Sequence, residues 1–220
     1  MEVNWPPGPH RPSAPSEEVH VWRAELDRKG WPSLQSLPPT ERKRAEGKLR
    51  PLCRERWVAS RWALRQVLAR YLDADPVAFE LRLGKRGKPA LADPTAALRF
   101  NLSHSGGLVL IAVAEGREVG IDIEQVDPRR DVVALANRGL DPAVRAAICE
   151  ACPESRTRAF HDAWAHREAL VKCLGSGLRA PSPPLATTLS ALDAGPSFAA
   201  ALAVAGPHSI PHRRFSLAPV

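Results

Sequence analysis

The chain has 220 residues and a formal net charge of +7, with 44% apolar and 25% charged residues. Those proportions are ordinary for a globular protein and exclude a disordered chain, a collagen-like repeat and a disulfide-scaffold miniprotein. The length suits one large domain or two of roughly 100 residues, and either can bury a sizeable core. No stretch approaches the ~18 apolar residues of a membrane span, and the N-terminus MEVNWPPGPHRPSAPSEE has no apolar secretory segment. The expectation is a cytoplasmic protein without membrane association, its four cysteines (Cys53, Cys149, Cys152, Cys173) reduced.

In chain order, residues 1–16 are Pro-rich and read as an extended tail. VHVWRAEL (19–26) alternates apolar and polar residues and predicts a half-buried strand. LPPTERKRAEGKL opens a helix after its prolines, with Thr40 as N-cap. Residues 53–72 predict a long helix with Trp57, Leu64, Leu68 and Tyr71 on one stripe and Arg61 on the same side. VAFELRL reads as a short strand and GKRGKP as a loop. RFNL then leads into a Ser-His-Ser-Gly-Gly turn, followed by the buried strand LVLIAVA and the strand GREVGIDIEQV. Helices are expected from Asp141 to about Cys152 and from about Ser155 to Leu174, the second ended by Gly175 or Gly177. After a loop at 180–186, two short strands are expected around TTLSALDA and SFAAALAVA. The element order of the two halves is loosely similar, which suits two related α+β units.

The charge is uneven. Residues 1–115 hold 19 Lys+Arg against 13 Asp+Glu, whereas residues 116–220 hold 12 against 11. The densest run is Arg42, Lys43, Arg44, Lys48, Arg50, Arg54 and Arg56, with only Glu46 and Glu55 among them. It suits a solvated helix face or a phosphate-rich ligand. Nucleic acid is disfavoured, because no RNP, KH or C2H2 pattern is present and no aromatic residue interleaves the run.

Three short segments carry chemistry. In V-G-I-D-I-E, Asp122 and Glu124 share one face of a strand and Val119, Ile121 and Ile123 the other. Two adjacent carboxylates fit either a solvent-facing edge or a hard divalent cation. In W-A-H-R-E-A-L-V-K, Glu168 and Lys172 stand at i, i+4. They fit a surface ion pair, or a third carboxylate with a lysine for phosphate oxygens. In Ser103-His104-Ser105-Gly106-Gly107, small residues let backbone N–H groups approach an anion and His104 could donate to phosphate. A Ser-His-Asp hydrolase is disfavoured because G-x-S-x-G is absent. Cys149 and Cys152, with His161 and His166, give C-x2-C-x8-H-x4-H; the middle gap is short for a zinc finger. These cysteines are expected to pack within a helical region, and no zinc site is counted.

Taken in order, F-N-L-S-H-S-G, V-G-I-D-I-E and W-A-H-R-E-A-L-V-K-C-L-G-S-G-L resemble the 4′-phosphopantetheinyl transferases of the surfactin-synthetase-activating type, the two-half monomeric class. Upstream, P-P-T-E-R-K-R-A, A-S-R-W-A-L-R-Q-V-L-A-R-Y-L and G-K-P-A-L are similar to further segments of that family, so the likeness spans about residues 20–190. The resemblance implies an α+β fold of two pseudo-symmetric halves with the active site in the cleft between them. The tail is 1–16, the coenzyme A nucleotide side 17–115 and the metal and catalytic side 116–220. It implies transfer of 4′-phosphopantetheine from coenzyme A to a serine of an acidic apo acyl or peptidyl carrier protein of fatty-acid, polyketide or nonribosomal-peptide synthesis. The co-product is 3′,5′-ADP. Asp122, Glu124 and Glu168 would hold Mg2+, and Lys172 would sit on the phosphates. Ser103 and His104 would lie at the phosphate region, and Arg44, Arg61 and Lys88 at the 3′-phosphate and adenine side. The base would be Glu168 or a metal-bound water. Two positions depart from the family pattern: Arg167 stands where a lysine is usual, and Val144 lies where some relatives carry a further acid, Asp141 being the nearest carboxylate. The competing readings are a non-catalytic relative that binds coenzyme A or a carrier protein, and a basic nucleic-acid-binding protein.

Overall fold

The computed structural model describes residues 3–47, 50–84, 87–175 and 186–219. Strand β1 (Val19–Glu25) is followed by α1 (Pro39–Glu46) and α2 (Pro51–Leu72), then β2 (Leu81–Leu83), β3 (Pro89–Leu91), β4 (Leu98–Ser105), β5 (Leu108–Glu115) and β6 (Val119–Gln125). Helices α3 (Val132–Gly139), α4 (Pro142–Glu150) and α5 (Pro153–Leu174) precede β7 (Thr187–Ala191), β8 (Phe198–Ala205) and β9 (His212–Leu217). The chain is α+β. Two sheets dominate, in the orders β4-β5-β1-β9 and β6-β8-β7, with β2-β3 forming a small hairpin.

The side chains of β5 explain the layering. Leu108, Leu110, Ala112 and Ala114 face one core, and Val109, Ile111 and Val113 face another. The second core is closed by α2 through Ala59, Ala63, Leu64, Val67 and Leu68. The first is closed by the other sheet through Val119, Ile121, Ile123, Ala200, Leu202 and Val204. On the far face of that sheet, Ala199, Ala201 and Ala203 of β8 meet Ala165, Ala169 and Cys173 of α5. The layers therefore run helix, sheet, sheet, helix, and β5 is buried on both faces because it sits between two layers. With the β2–β3 hairpin set aside, each half pairs its first strand with its third and its third with its second: β1-β5-β4 and β6-β8-β7. A 22-residue helix covers the outer face in both.

Several boundaries differ from those the sequence suggests. The Ser-His-Ser-Gly-Gly turn is narrower, since β4 runs through Ser105 and only Gly106-Gly107 turns. Gly106 has φ +55°, and a Cβ there would come within 2.6 Å of Gln125 Oε1. Helix α1 begins at Pro39, so Thr40 lies inside it and the N-cap is Pro38. The segment after β6 hides α3, whose N-cap Asp131 accepts from the Ala134 N–H at 3.0 Å. Most of the loop at 180–186, with Gly177, lies outside the described residues. The two ends meet on the first sheet. β9 pairs in parallel with β1, and the extended tail lies along β9, with Gly8 N–H donating to Ser216 O at 3.0 Å. Trp5 of the tail is buried in the inter-sheet core.

Candidate active site

A cleft of about 440 Å³ opens where β4, α5, α2 and the β2–β3 hairpin converge. Arg61, Lys88, Ser103, His104, Glu168 and Lys172 all line it. An adjoining cavity of about 330 Å³ shares Lys88, Pro89 and Gly175 with the cleft.

The seam between the two sheets is made by side chains. On β4, Asn101, Ser103 and Ser105 alternate onto the face that meets β6. Asn101 Oδ1 accepts from Ile121 N–H at 3.0 Å, Ser103 Oγ donates to Asp122 Oδ1 at 2.8 Å, and Ser105 Oγ accepts from Gln125 N–H at 3.0 Å. Ser105 also donates to Glu124 at 3.4 Å. Short polar groups stand in for the missing backbone ladder. Asn101 has no role in the sequence expectations and Ser105 only one as a small turn residue, although the period-2 spacing of Asn101, Ser103 and Ser105 is visible there.

Gly120 sets how close α5 comes. A Cβ at that position would lie 2.0 Å from Ala169 O and 2.3 Å from Cys173 N, so the helix backbone rests directly on β6. That contact brings Glu168 and Lys172 over the face carrying Asp122 and Glu124. The i, i+4 pairing of Glu168 with Lys172 is replaced. Lys172 Nζ reaches Asp122 Oδ1 at 2.5 Å and donates to Ser103 Oγ at 2.9 Å, while Glu168 pairs with Arg167 at 2.9 Å. The replacement follows from packing, since α5 rests on β6 at Gly120 and brings the lysine terminus within reach of Asp122. Arg167 in turn lies over the Trp164 ring at 5.4 Å.

The ionised forms of the carboxylates are disfavoured where they stand. Burial is the main cause that pushes Asp122 upward, with Lys172 opposing it. Burial, and then the Asp122 charge, raise both Glu124 and Glu168. Asp122 Oδ2 is buried with no hydrogen-bond partner. Hard oxygen donors that repel one another, one of them an orphan, fit a hard divalent ion. No three His, Cys, Asp or Glu groups among the described residues are gathered into a cation cage, and the Lys172 ammonium meets Asp122 in its place.

The cleft is also lined by cations. Arg61 is 8% exposed, its Nε has no partner, and burial lowers its pKa to about 10, so it stays charged near neutrality. It stacks 5.0 Å over Trp57, and Arg44, exposed on α1, lies over the same ring at 5.9 Å. Helix α1 is fastened by the buried Glu41–Arg65 ion pair at 2.5 Å. Arg44 therefore adjoins the cleft through Trp57 and is not among the residues lining it. Lys88 donates to Glu118 at 2.7 Å and to Val119 O at 3.0 Å. His104 is exposed at the cleft edge.

Other sequence candidates have different duties. Asp141 caps α4 by accepting from Ala143 N–H at 2.9 Å. His161 and His166 donate Nδ1–H to the carbonyls of Thr157 and Asp162, both at 2.7 Å. The packing expected of Cys149 and Cys152 is not found; both are exposed, because they sit at the outer corner between α4 and α5.

The cleft of this α+β chain gathers Arg61, Lys88, His104 and Lys172 with one lining carboxylate, Glu168, an arrangement that suits an anionic ligand. The 4′-phosphopantetheinyl transferase superfamily model matches residues 118–214. The chain is similar to the 4′-phosphopantetheinyl transferase HetI of Nostoc sp. (strain PCC 7120), 36% identical over 184 residues, covering 81% of this chain and 77% of that one. It is also similar to the 4′-phosphopantetheinyl transferase AcpT of Escherichia coli K12, 35% identical over 155 residues, or 70% and 74% of the two chains. The phosphopantetheinyl transferase of Thraustochytrium sp. is 29% identical over 154 residues, 64% of this chain and 54% of that one. The chain belongs to the 4′-phosphopantetheinyl transferase superfamily and is a transferase.

Proposed function

We propose that the protein transfers the 4′-phosphopantetheine group of coenzyme A to a serine of an apo acyl or peptidyl carrier protein, with Mg2+, releasing 3′,5′-ADP, and that it is of the surfactin-synthetase-activating type. The observation that carries this reading is the buried, partnerless guanidinium Nε of Arg61 in a cleft lined also by Ser103 and Lys172, both of which bond to the buried Asp122 with its orphan oxygen. A buried N–H donor without a partner is costly unless an acceptor completes it, and an anionic acceptor does so best beside a charge. Coenzyme A supplies several phosphate groups to one cleft.

In this reading Arg61, Arg44 and Lys88 bind the 3′-phosphate and adenine side. His104 and Ser103 sit at the pyrophosphate, and Lys172 leaves Asp122 to neutralise phosphate oxygens. Asp122, Glu124 and Glu168 would hold Mg2+, which stabilises charge on the pyrophosphate when bound. Glu168 accepts the proton of the carrier serine hydroxyl, a task suited to a carboxyl raised by burial. The carrier, acidic around its serine, is steered by Arg129, Arg130 and Arg138 of the 126–141 connector. All three are exposed. Four free cysteines, three of them exposed, suit a cytoplasmic protein, and we take it to act as a monomer without nucleic acid or membrane.

The test is fluorescent coenzyme A offered with a panel of apo carriers. Labelling of at least one carrier is expected. No labelling of any, while a control transferase labels them, overturns the reading. Coenzyme A binding in that failed experiment would point to the scaffold alternative.

A further inference from the structure

The α4–α5 corner lies apart from the cleft, and its two thiols have no place in the transfer. Cys149 stands in the last turn of α4 and Cys152 is the N-cap of the 22-residue α5. Both are exposed. Between them Ala151 is extended, so the chain changes direction within three residues. One guanidinium ties the corner together, since Arg156 Nη2 donates to Cys149 O at 3.0 Å and to Ala151 O at 2.9 Å. Cys152 Sγ lies 3.0 Å from Ser155 Oγ. That hydroxyl is the largest cause lowering the Cys152 thiol from its ordinary range, against the opposing effect of Glu154. The positive end of the helix acts in the same sense. The other two cysteines differ. Cys173 is buried and pushed up to about 11, mainly by burial. Cys53 is exposed but has no second cysteine near it in the chain.

We propose that Cys149 and Cys152 form a thiol–disulfide exchange site for low-molecular-weight disulfides, with Cys152 attacking and Cys149 resolving. The Cys152 thiolate attacks one sulfur of RS–SR, forming a mixed disulfide and expelling RS−. Cys149 gives up its proton and attacks the Cys152 sulfur, closing the Cys149–Cys152 disulfide and expelling the second RS−. Two protein thiols are oxidised, one small disulfide is reduced, and the two protons end on the two released thiols. Glu168 is 16 residues further along α5, about 24 Å at the helical rise, so the exchange can be read independently of transferase activity.

The experiment treats the reduced full-length chain with oxidised glutathione and follows it by intact mass and peptide mapping. The wild type is expected to lose two hydrogens at the Cys149–Cys152 peptide and retain no glutathione there, while Cys53 forms its mixed disulfide several-fold more slowly. Cys149→Ser should trap glutathione on Cys152, and Cys152→Ser should react at Cys149 several-fold more slowly than the wild type reacts at Cys152. Circular dichroism melting of both variants checks that they are folded. Glutathione persisting on Cys152 in the wild type, or equal rates at Cys53 and Cys152, would overturn the proposal.

Discussion

Arg61 and Asp122 anchor the proposed site because each is buried with one polar atom unsatisfied, Arg61 lining the cleft and Asp122 bonded to its lining residues Ser103 and Lys172. Arg61→Met keeps the apolar stem against Trp57 and removes the charge. A lost charge-assisted hydrogen bond is worth about 1.5–3 kcal/mol, or roughly ten- to hundredfold in affinity. Calorimetric titration should show that loss for coenzyme A and a smaller one for its 3′-dephospho form. Glu124 gives a prediction of opposite sign. Burial and the Asp122 charge disfavour its ionised form, so Glu124→Gln should raise the melting temperature of chelator-treated protein at pH 7 while it abolishes labelling. At this scale residue type and spacing pointed to Asp122, Glu124, Glu168, Lys172 and His104; Glu168, Lys172 and His104 line the cleft, and Asp122 bonds to Ser103 and Lys172. The sequence did not reveal that Lys172 partners Asp122, because that contact depends on how α5 lies across β6.

Elements place those residues through two tight contacts. Gly120 lets the α5 backbone touch β6, and Gly120→Ala would drive a Cβ into Ala169 O and Cys173 N. Overpacking of this kind costs about 1–3 kcal/mol. Chemical denaturation should register that loss, and transfer should fall further than stability alone explains, since Glu168 and Lys172 move with the helix. At α1, Glu41→Ala leaves Arg65 buried and unpaired, at a cost of roughly 3–5 kcal/mol. It should also weaken coenzyme A binding through Arg44, as α1 loses its anchor. The long helices and β5 could be read from their patterns. Thr40 was a poor guide to the α1 start because Pro38 and Pro39 already fix the backbone there. Helix α3 was missed although its buried Val132, Ala136 and Leu140 recur at every fourth position, because so short a run is a weak signal inside a connector, and β9 because HRRFSL looks polar until Phe215 and Leu217 pack into the core beneath α2.

At the scale of the molecule, two sheets of matching strand order face each other and the cleft lies at their seam. The matching order is invisible residue by residue, since it emerges only from pairing. The tail was legible as extended from its prolines, while its docking depended on Trp5 finding the inter-sheet core. Trp5→Ala should cost roughly 3–5 kcal/mol, seen as a lowered melting temperature, with labelling of a carrier retained below the transition. The central claim is that these carboxylates and the cations of the cleft perform one metal-assisted transfer. Its most direct test is the intact mass of an apo carrier incubated with coenzyme A and wild-type enzyme, or with Asp122→Asn, in Mg2+ or in chelator. The expected result is a carrier heavier by one phosphopantetheine only with wild-type enzyme and Mg2+, while Asp122→Asn still binds coenzyme A. Undiminished transfer by Asp122→Asn, or by the wild type in chelator, would contradict the account.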